Sequence, residues 1–283
     1  MLTNKLNLPK AVVAAVENDT YDNGGSDISV TGLISPAYQR RLRQTVEPVE
    51  DAAERLYALY GQIGHGLLER AGLRIGADVE TRLYTYMLGW KVSGQYDLFE
   101  DNILYDYKFS SVFAVKGKPK REWVEQLNLL RLLAVNNGME VKGLKIIALL
   151  RDHSVTQALR DRSYPQLPIA TVDIPMWDLD TAEQFLYERV VAHQDAEPQP
   201  CTDEERWKQP SVFAVRKEGR KTAVKLYDSQ READEHAAEA GKGHFVEVRP
   251  GSYRRCAEFC NVSHGCPVYG VTQREAQIDL EGL

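Results

Sequence analysis

One short stretch of the sequence combines residue types that can do acid–base and metal chemistry. Residues 103–109 read ILYDYKF, and alternate side chains of an extended strand point to opposite faces. Asp106 and Lys108 therefore share one face, which places a carboxylate and an ammonium group side by side. The preceding strand-like run, 90–99, contains Asp97, and the polar segment 100–102 (EDN) between the two runs predicts a hairpin.

Asp97 and Asp106 are thus predicted to lie on adjacent strands, where two carboxylates can share a divalent cation. Carboxylate oxygens are hard ligands, which suits Mg²⁺ or Mn²⁺. Such a cation stabilises negative charge on a phosphodiester and activates water, and Lys108 beside it can orient that water. The alternative interpretation is a surface ion pair between Asp106 and Lys108 on an edge strand.

A glycine-rich segment before these strands carries a histidine. Residues 61–69 read GQIGHGLLE, and each of the three glycines costs a helix about 1 kcal/mol relative to alanine. Close approach of the helix backbone to another segment is the simplest reason for that cost. His65 and Glu69 are four residues apart and share a helical face. His65 is either a hydrogen-bonded structural histidine or a metal ligand, and the glycine setting favours a ligand.

Hydrophobic periodicity and turn residues predict the elements that position these side chains, and the predicted class is α/β. The predicted helices cover residues 49–71 (ended by Gly72), 122–136 and 181–193, and the predicted strands cover 79–88, 90–99, 103–109, 144–150 and 169–174. The strand at 144–150 is a continuous apolar run, a pattern typical of a strand buried on both faces. The order from residue 50 to residue 150 is therefore α-β-β-β-α-β.

Composition and linker residues predict the domain organisation. The chain has 283 residues, 43% hydrophobic and 27% charged, which is ordinary for globular proteins. No run of 18 to 20 apolar residues and no apolar leader occurs, so we expect a cytoplasmic protein with no membrane segment. The predicted parts are an N-terminal arm (1–49), a core (50–196), a small β-β-α-β module bracketed by cysteines (201–270) and a tail (271–283).

The order of these motifs resembles the RecB-type branch of the PD-(D/E)XK nucleases. The segments that carry the resemblance are Gly61-x3-His65-x2-Leu68-Glu69, Gly94-x2-Asp97, Asp106-Tyr107-Lys108 and Gln126 on the following helix. They cover roughly residues 50 to 152. The resemblance implies a restriction-endonuclease-like α-β-β-β-α-β core and metal-dependent cleavage of DNA.

The resemblance also implies roles for individual residues. His65, Asp97 and Asp106 would bind Mg²⁺ or Mn²⁺, and Lys108 would be the catalytic lysine. Asp97, Asp106 and Gln126 would complete the catalytic set with Lys108. The family often carries Gln-x3-Tyr on this helix, whereas here Leu130 stands at the tyrosine position. The alternative interpretation of Gln126 is a solvent-facing helix residue.

All four cysteines lie in the last third of the chain, at Cys201, Cys256, Cys260 and Cys266. In a chain expected to be intracellular, such a set favours a metal site over disulfides. The C-x3-C-x5-C-P sequence resembles the C-terminal triplet of RecB-type nucleases that carry a 4Fe-4S cluster, which implies that the four cysteines bind such a cluster. The alternative is a structural Zn²⁺, with His264 able to replace one thiolate.

The net charge of −6 argues against general affinity for nucleic acid, but the charge is unevenly distributed. Residues 104–151 hold nine Lys or Arg and four Asp or Glu, a local net charge of +5. Within this region the loop 116–121 reads KGKPKR. We predict that its cations contact DNA phosphates; these are Lys116, Lys118, Lys120 and Arg121. The alternative is a solvated surface loop.

Together these features predict a metal-dependent DNA nuclease, of exonuclease type, acting on duplex ends or single strands. The expected setting is DNA recombination, repair or bacteriophage DNA metabolism, in a bacterial or phage-infected cell, with a recombination or helicase protein as partner. The alternatives are a restriction-type endonuclease that uses the same residues, a catalytically silent DNA-binding recombination accessory protein, and a zinc-stapled scaffold with no role on nucleic acid.

Overall fold

The computed structural model describes residues 1–17 and 22–270, and these form a mixed α/β protein, which confirms the predicted class. They form two compact units: residues 1–37 with 49–198, and residues 38–48 with the described residues from 199 onward. The predicted tail 271–283 lies outside the described residues. Among the described residues, no helix has the length and apolar character that crossing a bilayer requires.

The helices follow one another along the chain as α1 (Lys10–Glu17), α2 (Val30–Ile34), α3 (Ala37–Leu42), α4 (Leu56–Ile75), α5 (Arg121–Asn136), α6 (Val155–Arg160), α7 (Leu179–Gln194) and α8 (Gln230–Ala240). The strands are β1 (Leu2–Thr3), β2 (Ile28–Ser29), β3 (Glu50–Asp51), β4 (Asp78–Val79), β5 (Arg82–Met87), β6 (Trp90–Gln95), β7 (Leu98–Glu100), β8 (Ile103–Ser110), β9 (Gly143–Leu150), β10 (Ile169–Asp173), β11 (Lys208–Gln209), β12 (Val212–Lys217), β13 (Lys225–Tyr227), β14 (His244–Arg249) and β15 (Ser252–Tyr253). Short 3₁₀ turns cover Val112–Val115 and Ser263–Gly265, and a π-helical turn covers Arg255–Phe259.

The first unit is built around a five-stranded sheet of order β10-β9-β8-β7-β4. β8 and β9 are parallel and joined through α5, and the other pairs are antiparallel. Along β9, one set of alternate side chains is buried and the other is half-buried. The prediction that this strand is buried on both faces is therefore wrong for one face. A second sheet, β2-β6-β5, and a two-stranded pair, β1-β3, complete the sheets of this unit.

Two predicted strands are each divided in the structure. The run 90–99 forms β6 and β7, which belong to different sheets and are separated by Tyr96 and Asp97. The run 79–88 is divided at Glu80, whose φ of 51° is left-handed. Periodicity misses both breaks because it reports burial, and Tyr96 and Asp97 remain buried although they leave the ladder.

The predicted hairpin between β7 and β8 is confirmed. Glu100 pairs with Ile103, so the loop has two residues, Asp101 and Asn102. Both have positive φ, 50° and 62°. This is the backbone that a type I′ turn requires, and Asp and Asn tolerate it better than most residues because their side chains can bond the local backbone.

Helix α4 extends past the glycine predicted to end it. Gly72 lies inside the helix, and a Cβ there would lie 2.6 Å from Cγ1 of Val79, so this position serves packing. The helix ends instead at Gly76, whose φ of 72° is that of a left-handed C-terminal cap. The predicted start at residue 49 is also wrong, because β3 and a turn precede the helix.

The close approach predicted from the glycines of α4 is confirmed at one of them. A Cβ on Gly64 would lie 1.7 Å from Cζ of Phe109 on β8. By contrast, no atom lies within 4 Å of a Cβ built on Gly61 or Gly66. Gly64 therefore lets α4 pack directly on the strand that carries Asp106.

We expect Gly64→Ala to destabilise the protein by about 1–3 kcal/mol, because the new methyl group displaces the Phe109 ring. The matched controls Gly61→Ala and Gly66→Ala should stabilise it by up to about 1 kcal/mol each through helix propensity. Urea unfolding of the three variants measures this contrast. In a Phe109→Ala background, Gly64→Ala should lose its penalty; an unchanged penalty there would show that the ring is not the cause.

The second unit contains a three-stranded antiparallel sheet of order β13-β12-β14, and α8 packs against it. Ala214 and Val215 of β12 and Ala233 of α8 form its buried centre. The chain order β12-β13-α8-β14 is the predicted β-β-α-β order. β11, which precedes this sheet in the chain, pairs antiparallel with β15, which follows it.

Candidate functional site

Three side chains from different segments meet beside the break between β6 and β7. Nδ1 of His65 on α4 lies 3.3 Å from Oδ1 of Asp97 and 3.8 Å from Oε1 of Glu80. Among the described residues, these three form the group whose ligand atoms all lie within 4.8 Å of one another. One imidazole and two carboxylates at this spacing can share a divalent cation.

Hydrogen bonds hold the two carboxylates of this group in place. Asp97 is only 7% exposed, and its Oδ2 accepts a hydrogen bond from the backbone N–H of Tyr107 on β8. Oε2 of Glu80 accepts from Nε2 of Gln95 at 2.7 Å, and Arg82 donates to Oε1 of the same glutamine at 2.6 Å. Each carboxylate thus has one oxygen fixed by a donor and the other directed to His65.

The charge of His65 is set by these carboxylates. Hydrogen bonding to Asp97 and Glu80 raises the pKa of His65 to about 10, against the opposing effect of burial. The imidazole is therefore protonated at neutral pH without metal, and its single positive charge offsets part of the negative charge of the two carboxylates. A divalent cation binding there must displace this proton, since only the neutral ring can be a ligand.

A second group lies on the neighbouring strand and the helix that follows it. Nζ of Lys108 lies 2.6 Å from Oδ2 of Asp106 and donates to Oε1 of Gln126 at 3.1 Å. Nε2 of Gln126 donates in turn to Oδ1 of Asp106 at 3.0 Å. The carboxylate, the ammonium and the amide therefore form a closed network.

Asp106 is the most deeply buried member, at 3% exposure. Burial raises its pKa to about 6, and the charge of Asp97 adds to the effect, while Lys108 opposes it. Oδ2 of Asp106 has the ammonium of Lys108 at 2.6 Å as its ion-pair partner and no further donor. A cation bound at the site could share this buried oxygen.

The structure brings most of the predicted site residues together. His65 contacts Asp97, and Asp106 contacts Lys108 and Gln126, as described above. Asp106 does not belong to the group within 4.8 Å, and Glu80 takes the third place there. Glu80 was not among the predicted site residues, because it stands at the start of a predicted strand and residue type does not indicate its left-handed backbone.

The position where the family often has tyrosine is part of the core. Leu130 is fully buried, and its Cδ2 would lie 2.5 Å from a Cβ built on Gly94. The glycine of the Gly94-x2-Asp97 motif therefore lets β6 approach α5. Gln126, one turn earlier on α5, reaches the site and is not a solvent-facing residue.

The four predicted phosphate-binding cations lie at the end of the loop that leads into α5, and all are exposed. Arg121 pairs with Glu125 one turn along the helix. Nζ of Lys120 lies 5.2 Å from the ring of Trp123, and Nζ of Lys116 lies 5.3 Å from the ring of Tyr164. Lys118 is exposed on the same loop.

The four cysteines of the second unit line one cavity of about 30 Å³, and none forms a disulfide. Tyr38 and Gln39 line the same cavity, and Nε2 of Gln39 lies 3.4 Å from Sγ of Cys260. Burial raises the pKa of Cys201 to about 12. Burial also raises the pKa of Cys256, although a hydrogen bond from Arg206 opposes this. No three of these sulfurs lie mutually within 4.8 Å.

Comparisons with known proteins add little to this geometry. No family model and no curated protein matches the chain. Among solved structures, the chain is similar to one titled "Crystal structure of SSO0001", with 16% sequence identity and a TM-score of 0.45. The alignment covers 69% of this chain and 89% of that chain.

Proposed function

We propose that the protein is a divalent-metal-dependent DNA nuclease of exonuclease type, related to the RecB branch of the PD-(D/E)XK nucleases. The observation that supports this most strongly is that the His65–Glu80–Asp97 group meets the Asp106–Lys108–Gln126 network. The backbone N–H of Tyr107, between Asp106 and Lys108, binds Asp97, and Asp106 interacts electrostatically with Asp97 and His65. The chain order from α4 to β9 is compatible with a restriction-endonuclease-like core in which two strands are divided.

His65, Glu80 and Asp97 are the residues that would hold the cation, with Oδ2 of Asp106, the oxygen that pairs with Lys108, as a further ligand. When bound, the cation supplies positive charge to the phosphodiester and makes water more acidic. The donors from Gln95 and Tyr107 keep the two carboxylates of the first group in position. This support lowers the reorganisation that binding requires.

Lys108 supplies the second positive charge of the site. Its ammonium is held by Asp106 and Gln126, so it does not have to be ordered during the reaction. A fixed cation stabilises the negative charge that develops on the phosphate oxygens in the transition state. Gln126 is a positioning residue, because it bridges Asp106 and Lys108.

We also propose that the four cysteines hold a 4Fe-4S cluster. The support is the C-x3-C-x5-C-P spacing, which resembles the C-terminal triplet of RecB-type nucleases that carry such a cluster, and the position of all four cysteines around one cavity. A structural Zn²⁺ bound by the same thiolates is the alternative. Arg206 favours the thiolate form of Cys256, which is the form that binds metal.

Titration with Mn²⁺ tests the proposed metal site. Asp97→Asn should abolish binding, and Glu80→Gln should weaken it at least about tenfold, because both replacements remove a charged ligand. Glu100→Gln is the matched control, since Glu100 is an exposed carboxylate on the adjacent strand β7. Calorimetry on the purified full chain measures all three variants. Wild-type affinity in Asp97→Asn would exclude this metal site.

The same preparations test the reaction. With Mn²⁺ the protein should degrade linear DNA and leave covalently closed circular DNA intact. Cleavage of the circle would support the restriction-type endonuclease alternative. Metal binding without cleavage of either substrate would contradict the nuclease proposal.

A further inference from the structure

An open groove runs beside the candidate metal site, along the outer face of α4. Its volume is about 380 Å³, within the range of pockets that hold ligands of nucleoside size. Tyr57, Tyr60 and Leu67 on α4 form one wall, and Phe109 and Leu149 of the sheet form the other. The groove lies entirely within the first unit.

The wall on α4 is unusually apolar for an exposed surface. Tyr57 is 62% exposed, Tyr60 is 51% exposed, and Ile63 and Leu67 are each 59% exposed. These side chains follow one another along one helical face, so the apolar area is contiguous. A contiguous exposed apolar area marks a binding surface more often than isolated exposed apolar side chains do.

The chemistry of the groove fits bases joined by phosphates. The two tyrosine rings offer faces on which bases can stack, a contact open to any base sequence. Arg151 lines the groove, is exposed, and lies with its guanidinium carbon 4.7 Å from the centre of the Tyr57 ring. Its Nη1 also donates to the backbone carbonyl of Phe109 at 3.2 Å, which holds the charge at the edge of the groove.

The groove borders the candidate site, and Phe109 lies between them. This ring lines the groove, and its centre lies 6.2 Å from that of His65, the residue on α4 that contacts Asp97. A strand whose bases occupy the groove would therefore have its next phosphates near the metal ligands. Bases in a duplex are stacked on one another and do not present their faces to tyrosine rings.

We propose that this groove binds single-stranded DNA by stacking bases on Tyr57 and Tyr60 and pairing a phosphate with Arg151. It thereby selects unpaired strands for the site. This inference rests on the proposed nuclease function for its substrate, but the binding itself is independent of cleavage.

Fluorescence anisotropy with a labelled single-stranded oligo(dT), in EDTA so that no cleavage occurs, tests the proposal. Tyr57→Ala combined with Tyr60→Ala should weaken binding by about a hundredfold, since each stacked base contributes about tenfold. Arg151→Gln should reduce the magnitude of the slope of log affinity against log salt by about 0.7, the value for one phosphate contact on a single strand. Tyr86→Ala is the matched control, because Tyr86 is 71% exposed on β5 and does not line the groove.

An abasic strand of equal length separates stacking from charge. The wild-type protein should bind it about as weakly as the double tyrosine variant binds oligo(dT). If the wild type and the double variant bind oligo(dT) with equal affinity, the groove does not bind DNA, even if Mn²⁺-dependent cleavage is observed. If the wild type binds oligo(dT) through the tyrosines but cleaves no DNA with Mn²⁺, the nuclease proposal is wrong and the groove proposal stands. If sedimentation shows that the wild type is a dimer and the double tyrosine variant is a monomer, the groove binds a second copy of the chain and the proposal is wrong.

Discussion

Lys108→Ala is expected to lower the rate of DNA cleavage by about 10²–10³ or more, while the protein remains folded. The ammonium is held beside Asp106 and Gln126, where it can meet developing charge on the phosphate. Removal of one such preorganised charge typically has an effect of this size. Single-turnover cleavage of linear DNA at saturating Mn²⁺ measures the loss. Lys145→Ala is the matched control, because Lys145 lies on the adjacent strand and pairs with the exposed Asp173.

The fold of the Lys108 variant is expected to survive because Asp106 can take up a proton. Lys108 lowers the pKa of this carboxyl group, and burial raises it, so removal of the lysine raises it further. A group whose pKa is higher in the folded than in the unfolded state favours folding as the pH falls. The variant should therefore gain stability relative to the wild type as the pH is lowered from 8 to 6. Wild-type cleavage by Lys108→Ala would exclude this lysine from the reaction.

Replacement of any one of the four cysteines is expected to remove most of the bound iron and to lower the melting temperature. The variants are Cys201→Ala, Cys256→Ala, Cys260→Ala and Cys266→Ala. The four cysteines line one cavity, so each replacement is expected to take away one ligand of the proposed cluster. Because such a site does not exist in the unfolded chain, its binding energy contributes to folding. Iron and sulfide analysis, with visible spectra of anaerobically purified protein, measures the loss.

The control for these variants is Ser263→Ala, because Ser263 lines the same cavity without a thiol and should leave the iron content unchanged. Mn²⁺ binding by the first unit should persist in all four cysteine variants. Full iron content in Cys201→Ala would remove this residue from the site. Stoichiometric zinc and no iron in the wild-type protein would favour the structural zinc alternative instead.

Much of the candidate site could be predicted from the sequence because it depends on local geometry. Strand alternation placed Asp106 and Lys108 on one face, and the structure has both in contact with Gln126 on that side. A short polar turn predicted the hairpin that brings Asp97 beside them. The cysteine spacing predicted a common site, and all four cysteines line one cavity.

Contacts between segments that are distant in the chain were decided only by the tertiary structure. Glu80 joins His65 and Asp97 because the first predicted strand breaks at a left-handed residue, which residue type does not signal. Gly72 belongs to the interior of α4, since Val79 packs against it, and the helix ends at Gly76.

The segment 38–48 illustrates the same limit. Its sequence has no cysteine, yet the structure places it in the second unit, where Tyr38 and Gln39 line the cysteine cavity. Alternation, helix periodicity and turn residues depend on neighbours along the chain, so the sequence by itself determined the α/β class and the faces of single strands. The place of Glu80 in the candidate metal site and the surroundings of the thiols depend on packing between remote segments, which leaves no periodic trace in the sequence.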